Sequence, residues 1–359
     1  MKNKPILIAG LLCTALLLPG CATYIRHGLD QAQAQEIEKE FPARKSTLSR
    51  ETEARILALD PTHVTAADIA GPLSQAPAPR IINIHGGIYP VHLRMISFSE
   101  FLVGMGYPRK SVKNRGDGTY TFSCYESSDT IAGMIAWYYE HEGLPPIIVG
   151  HSQGGFQAVK ILRKFAGLSA KKLEVWNPLT WKPENRFEIT DPLSGRKRPV
   201  VGLKLGYTTV VGTGGLTRIL PNQWDIDFSL RSIPDSVEEF TGFYNYVDLL
   251  GGDFLGFGPT NNYHSMGSAK VRTVRLPTKY RHGGTPDTKH LLASQQIRDW
   301  INNYRPNQVE RDTPKMDEKF DSDSANILWA ADVWYSIKKH WVLELQRSIR
   351  ARRSQPHGD

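Results

Sequence analysis

The stretch Pro146 to Gly155, PIIVGHSQGG, constrains this chain more than any other. Ile147-Ile148-Val149 is a short β-branched run bounded by breakers, which reads as a buried strand. It stops at Gly150. The polar His151-Ser152-Gln153 cannot continue inside a core, and a helical pattern begins directly at Gly154-Gly155. Glycines on both sides permit a tight strand-to-helix turn where a side chain would crowd the neighbouring elements. Such a turn pushes Ser152 out at the carboxyl end of its strand, where it is placed to act as a nucleophile.

Spelled G-x-S-x-G and set between a strand and a helix, this turn resembles the nucleophile elbow of the α/β-hydrolases. A second motif agrees. Arg80 to Ile84 reads as a strand and runs into His85-Gly86-Gly87-Ile88, which resembles the oxyanion loop of lipases and esterases. The chemistry needs backbone N–H groups aimed at a developing oxyanion. The resemblance implies Gly87 and Gln153 as those donors. His85 reads as a packed histidine, because a base at that point would put the triad in the wrong order.

The surrounding pattern alternates. Helices are expected over 92–102, 130–142 and 155–165, and strands over 119–123, 147–149 and 172–176. That alternation is the signature of a parallel sheet covered on both faces. Residues 187 to 201 read as a hairpin. From about 181 to 240 the regular pattern breaks, and we expect a cap-like insertion there. Sheet character returns at 242–247 and 270–276, and a helix over 291–304 follows. The expectation is an α/β-hydrolase fold over residues 79–304: a mostly parallel central sheet flanked by helices, with a C-terminal helical extension.

In that family the acid follows the penultimate strand and the base precedes the terminal helix. The resemblance implies Asp253, past Gly251-Gly252, as the acid, with Asp248 as the alternative nearer the strand. Asp225, Asp227 and Asp235 fall too early. It implies His290 as the base, with His282 as the alternative. His264-Ser265-Met266-Gly267 imitates the elbow spelling, but Tyr263 replaces the leading glycine and no buried strand precedes it. The order Ser152, Asp253, His290 implies a serine carboxylic-ester hydrolase that works through an acyl-enzyme. A small-molecule or lipid ester is the expected substrate, and no metal or organic cofactor is needed. A thioesterase or amidase would use the same groups. A non-catalytic envelope lipoprotein that keeps the fold for binding is the reading from another class.

The ends carry a different message. Lys2 and Lys4 precede an apolar run from Ile6 to Leu18, and Leu18-Pro19-Gly20-Cys21 follows. A basic start with a short apolar stretch is a secretory signal, too short for a comfortable transmembrane helix. The last four residues resemble the lipobox of bacterial lipoproteins, which implies a signal peptide over 1–20, diacylation of Cys21 and attachment to a membrane. With Ala22 rather than Asp next, the resemblance implies the outer membrane. Residues 21–78 are expected to form a tether with N-terminal decoration. Residues 305–359 are expected to form a linker and an amphipathic helix over 325–350, either packed on the domain or lying on a membrane surface.

Of the three cysteines, Cys13 lies in the leader and Cys21 at the lipid site. Cys124 is left without a partner, so no disulfide framework is expected. The net charge of +8 would suit a nucleic-acid binder, but no helix-turn-helix, zinc or RNP pattern accompanies it. No nucleic-acid partner is expected. The oligomeric state is not legible.

Overall fold

The computed structural model describes residues 48–252, 259–306, 315–321 and 324–354. Five parallel strands form its centre: β1 (Ile81–Ile84), β2 (Ile147–His151), β3 (Leu205–Val211), β4 (Val237–Tyr244) and β5 (Lys270–Arg275). They lie side by side in that order, and every neighbouring pair is parallel. Six helices matter for the argument: α1 (Arg50–Ala58), α2 (Tyr89–Gly104), α3 (Ser128–Glu142), α4 (Gln153–Phe165), α5 (Gln295–Asn303) and α6 (Ile327–Ser354).

Strands β1, β2 and β3 are buried along their whole length on both faces, as a doubly covered parallel sheet requires. Side chains alternate across a strand, and here the alternation sorts them into two cores. Ile81, Ile147, Val149, Tyr207 and Val211 pack with α2, α5 and α6. Ile82, Ile84, Ile148 and Val210 pack with α3 and α4. The molecule is therefore a three-layer sandwich.

After β1 the chain runs outward through α2 to Phe122, which bridges Ile84 in parallel at the outer side of β1. It then returns through α3 to β2 on the other side of β1. The crevice beyond the carboxyl ends of β1 and β2 lies where the chain direction reverses, the usual place for a ligand in an open α/β sheet. The loops after β1 and β2, carrying His85 to Ile88 and Ser152, open into it.

Three expectations change. The stretch 181–240 is not wholly an insertion, since β3 lies at the middle of the sheet within it. Its sequence, LGYTTVV, dilutes the apolar run with glycine and threonine, yet all seven residues are buried. Thr209 solves its polar problem by donating its hydroxyl to the Thr241 carbonyl at 3.0 Å. Residues 172–176 supply no sheet strand; Trp176–Asn177 pairs antiparallel with Lys182–Pro183 in a small hairpin. From residue 48 the expected tether is packed structure, with Ile56 and Leu73 fully buried.

The C-terminal helix is packed on the domain, not spread on a surface. Trp329, Trp334 and Trp341 on α6 are fully buried. Trp341 donates its indole N–H to the Pro77 carbonyl at 2.8 Å, and Trp334 donates to Asn302 Oδ1 at 2.9 Å. Gln346 donates to the Leu59 carbonyl at 2.9 Å, which fastens α6 to the end of α1. Buried indoles normally find such acceptors. Among the described residues, no helix is long and apolar enough to cross a membrane.

Candidate active site

Ser152 stands between β2 and α4 with φ 54° and ψ −119°. This is a left-handed conformation that side chains rarely adopt, and such strain persists only where the surroundings impose it. The ladder does so from one side: the Ser152 N–H donates to the Val211 carbonyl at 2.8 Å. The helix does so from the other, because Gly154 packs so closely on the carbonyl oxygen of Ile84 that a Cβ there would collide with it. The glycine-rich spelling is thus a steric condition for bringing the first turn of α4 against β1.

The Ser152 hydroxyl lies 3.0 Å from Nε2 of His282. Nδ1 of the same ring lies 2.7 Å from Oδ2 of Asp248. The other oxygen of Asp248 accepts the backbone N–H groups of Leu250 at 3.0 Å and Gly251 at 2.9 Å. Burial pushes the Asp248 carboxyl up, but the bonds from His282 and from those two N–H groups outweigh it and hold the group below its ordinary value. An ionised carboxylate fixes the Nδ1–H tautomer and leaves Nε2 as the acceptor facing the serine. Ser152, His282 and Asp248 form a Ser-His-Asp triad, on loops that follow the carboxyl ends of β2, β5 and β4.

Two of these three differ from the first choices made on sequence. His290 lies in a short 3-10 turn, Lys289–Ala293, where its ring meets Phe320 edge-on at 4.8 Å. By that point the chain has passed the crevice and runs along α2: the Lys289 N–H donates to Ser97 Oγ at 2.9 Å, and Ser97 donates to Asp287 Oδ1 at 2.6 Å. His282 comes eight residues earlier and meets the serine. Asp253 lies outside the described residues. Asp248 is not part of the strand end, because β4 stops at Tyr244 and leaves Asp248 free to turn inward. Val247 just before it has φ 53°, an outlying value for a β-branched residue.

Other candidates fall where their packing roles suggest. His85 is buried, lies with Nδ1 2.7 Å from the Gly86 carbonyl, and is pushed down to about 4 by burial. Ser265 precedes β5, at the opposite edge of the sheet, and its hydroxyl accepts the Gly267 N–H at 3.1 Å. Asp225 pairs with Lys160 at 2.7 Å, and Asp235 accepts the Ala269 N–H at 2.9 Å. Cys21 lies outside the described residues.

Sequence reasoning passed over His151. It is fully buried, and burial pushes it down to about 3, so it stays neutral. Its Nε2–H donates to the His282 carbonyl at 2.8 Å, and the two rings lie 4.8 Å apart. His151 therefore pins the backbone of the base from the position next to the nucleophile. Gly212 and Gly251 complete the seat: a Cβ on either would stand within 2.8 Å of an atom of the His282 ring. The only signal for these roles was the polar residue before the serine and glycines in two separate loops. No family model, curated protein or solved structure matches the chain, so the assignment of its chemistry rests on the geometry of Ser152, His282 and Asp248.

Proposed function

We propose that the protein hydrolyses carboxylic esters through an acyl-enzyme on Ser152. The observation that carries this reading is the pair of contacts made by one imidazole, 3.0 Å to the serine oxygen and 2.7 Å to Asp248. His282 Nε2 takes the proton as Ser152 Oγ attacks the carbonyl carbon. The imidazolium, stabilised by Asp248, returns that proton to the leaving alkoxide as the tetrahedral intermediate collapses. Water enters, gives its proton to Nε2, and the same steps release the acid and restore the serine.

The N–H groups of Gly87 and Gln153 are our candidates for the oxyanion hole. Gln153 is the first residue of α4, where an N–H has no acceptor within its own helix and the helix dipole favours negative charge. Gly87 passes close to the Gln153 side chain, leaving no room for a Cβ, and the Tyr125 hydroxyl donates to its carbonyl at 2.7 Å. The two segments are held against each other beside the serine.

An apolar acyl group suits the rim. Ile88, Tyr89 and Tyr125 stand exposed around the first loop, and Val247, Leu249 and Leu250 around the acid loop. Exposed apolar side chains gathered at a site mark a binding surface for an apolar ligand. The experiment is labelling with a fluorophosphonate. Folded protein should take up one equivalent, Ser152→Ala none, and Ser265→Ala a normal amount. Folded wild type that fails to label would overturn the proposal.

Attachment to the outer membrane through Cys21 is a separate proposal, supported by the basic start, the apolar run and the Leu-Pro-Gly-Cys ending of the leader. Two acyl chains would give stable anchoring. Cys21→Ser should move the protein from the membrane fraction to the soluble one; persistence at the membrane would refute the anchor.

A further inference from the structure

Helix α6 carries buried charged groups that the ester chemistry does not use. His340 and Glu344 lie one turn apart on one face of it, and both are at most 3% exposed. They face Gly206, near the start of β3, and Glu238, near the start of β4. The catalytic groups follow the other ends of the strands, so roughly 20 Å of strand separates the two regions.

The tautomer of His340 can be read from its neighbours. Nε2 lies 3.2 Å from Oε2 of Glu239, a carboxylate that Lys339 also pairs with. Nε2 therefore donates to it, and in the neutral ring that leaves Nδ1 as a lone pair. The Tyr207 ring stacks on the imidazole at 5.3 Å, with 11° between planes, and fixes its orientation. Nδ1 is buried and has no hydrogen-bond partner. It faces the same point as Glu344 Oε1: a Cβ on Gly206 would lie 3.0 Å from the nitrogen and 2.5 Å from the oxygen. With Glu238, the three candidate ligand atoms all lie within 4.8 Å of one another.

With both carboxyls ionised, two oxygens and an unprotonated nitrogen are acceptors only, and acceptors that converge need a cation between them; burial pushes the Glu344 carboxyl up to about 7, so a proton competes with the cation for this point. Arg347 supplies part of that charge, pairing with Glu238 at 2.5 Å and with Glu344 at 2.8 Å. Its side chain is 38% exposed and can turn to water. The carboxylate behind the imidazole is the arrangement that orients histidines ligating a metal.

We propose that His340 Nδ1, Glu344 and Glu238 form a site for one divalent transition-metal ion, with Arg347 displaced to solvent when the ion binds. One imidazole and two carboxylates suit Zn²⁺, with water as the fourth ligand. The ion would tie α6 to β4 and act on stability, not on ester turnover.

The full chain, stripped with a chelator, is titrated with Zn²⁺ by calorimetry and melted with and without the ion. Wild type should bind one ion at micromolar affinity or tighter, and its Tm should rise by several degrees. Glu238→Gln changes a half-buried ligand and should fold; it and His340→Ala should each weaken binding at least tenfold. Arg347→Met removes the competing cation and should tighten it. Wild type without a one-to-one site would overturn the proposal, as would affinity unchanged in Glu238→Gln and His340→Ala. Loss of affinity in Arg347→Met would overturn it too, because it would make the cluster an arginine-dependent ion-pair network.

Discussion

His282→Ala is expected to lower kcat/KM for an unactivated alkyl ester by about 10⁶-fold, as losing a triad base does when the residues act as a unit. That is about 8 kcal/mol of transition-state stabilisation. Ser152→Ala should lose a similar amount and the double variant hardly more, since neither group does its work without the other. His290→Ala should stay within about twofold, because that ring meets Phe320 and not the serine. The leaving group decides how sharp the test is. An alkoxide needs the proton that the imidazolium returns, whereas an activated phenolate departs without it and would hide half of the deficit. Steady-state kinetics on a short-chain alkyl ester, with circular dichroism to confirm folding, reads the outcome. A His290→Ala variant as impaired as His282→Ala would show that the arrangement around Ser152 is not the one that turns over.

The nucleophile was legible because its signal is local. A β-branched run, a polar break and two glycines over ten residues leave one conformation open, and Ser152 takes it. The parallel sheet was legible for a similar reason, in strands whose apolar runs are continuous. The base and the acid were not, because both are set by how far a loop travels before it turns back. His282 and His290 lie in the same loop, and family position alone favoured the later one. What decides between them is three-dimensional. His151 offers an N–H to the His282 carbonyl, and Gly212 and Gly251 leave the recess in which that ring sits. The acid turned on the end of β4: at Tyr244 it frees Asp248, and at Val247 it would have buried it in the ladder. Strand β3 escaped notice because Gly206, Thr208 and Thr209 weaken its apolar signal, and only the folded sheet supplies the Thr241 carbonyl that accepts the Thr209 hydroxyl. The buried charges of α6 were equally hidden. Read as a stripe, the helix has one apolar face, but His340 and Glu344 are buried against Gly206 and Glu238 of the sheet, and the segment from residue 48 engages Gln346.

Asp248→Asn should leave the fold intact and still lower kcat by about 10⁴-fold, the size of effect seen when a triad carboxylate becomes an amide. The hydrogen bonds around the residue dictate why. One oxygen is claimed by the N–H groups of Leu250 and Gly251. In the asparagine variant those donors keep the amide oxygen on their side, so the NH₂ group is turned toward His282. Nδ1 must then accept a hydrogen bond, and the ring proton moves to Nε2. A protonated Nε2 cannot take the proton of Ser152, although every heavy atom keeps its place. The loss should therefore fall mainly on kcat and leave KM nearly unchanged, because the substrate is held by other groups. Labelling of Ser152 by a fluorophosphonate should slow in parallel. Asp253→Asn serves as the comparison and should turn over at close to the wild-type rate. A full rate in Asp248→Asn, or a 10⁴-fold loss in Asp253→Asn, would mean that the carboxylate contacting the imidazole at 2.7 Å is not the one that sustains its charge in the transition state.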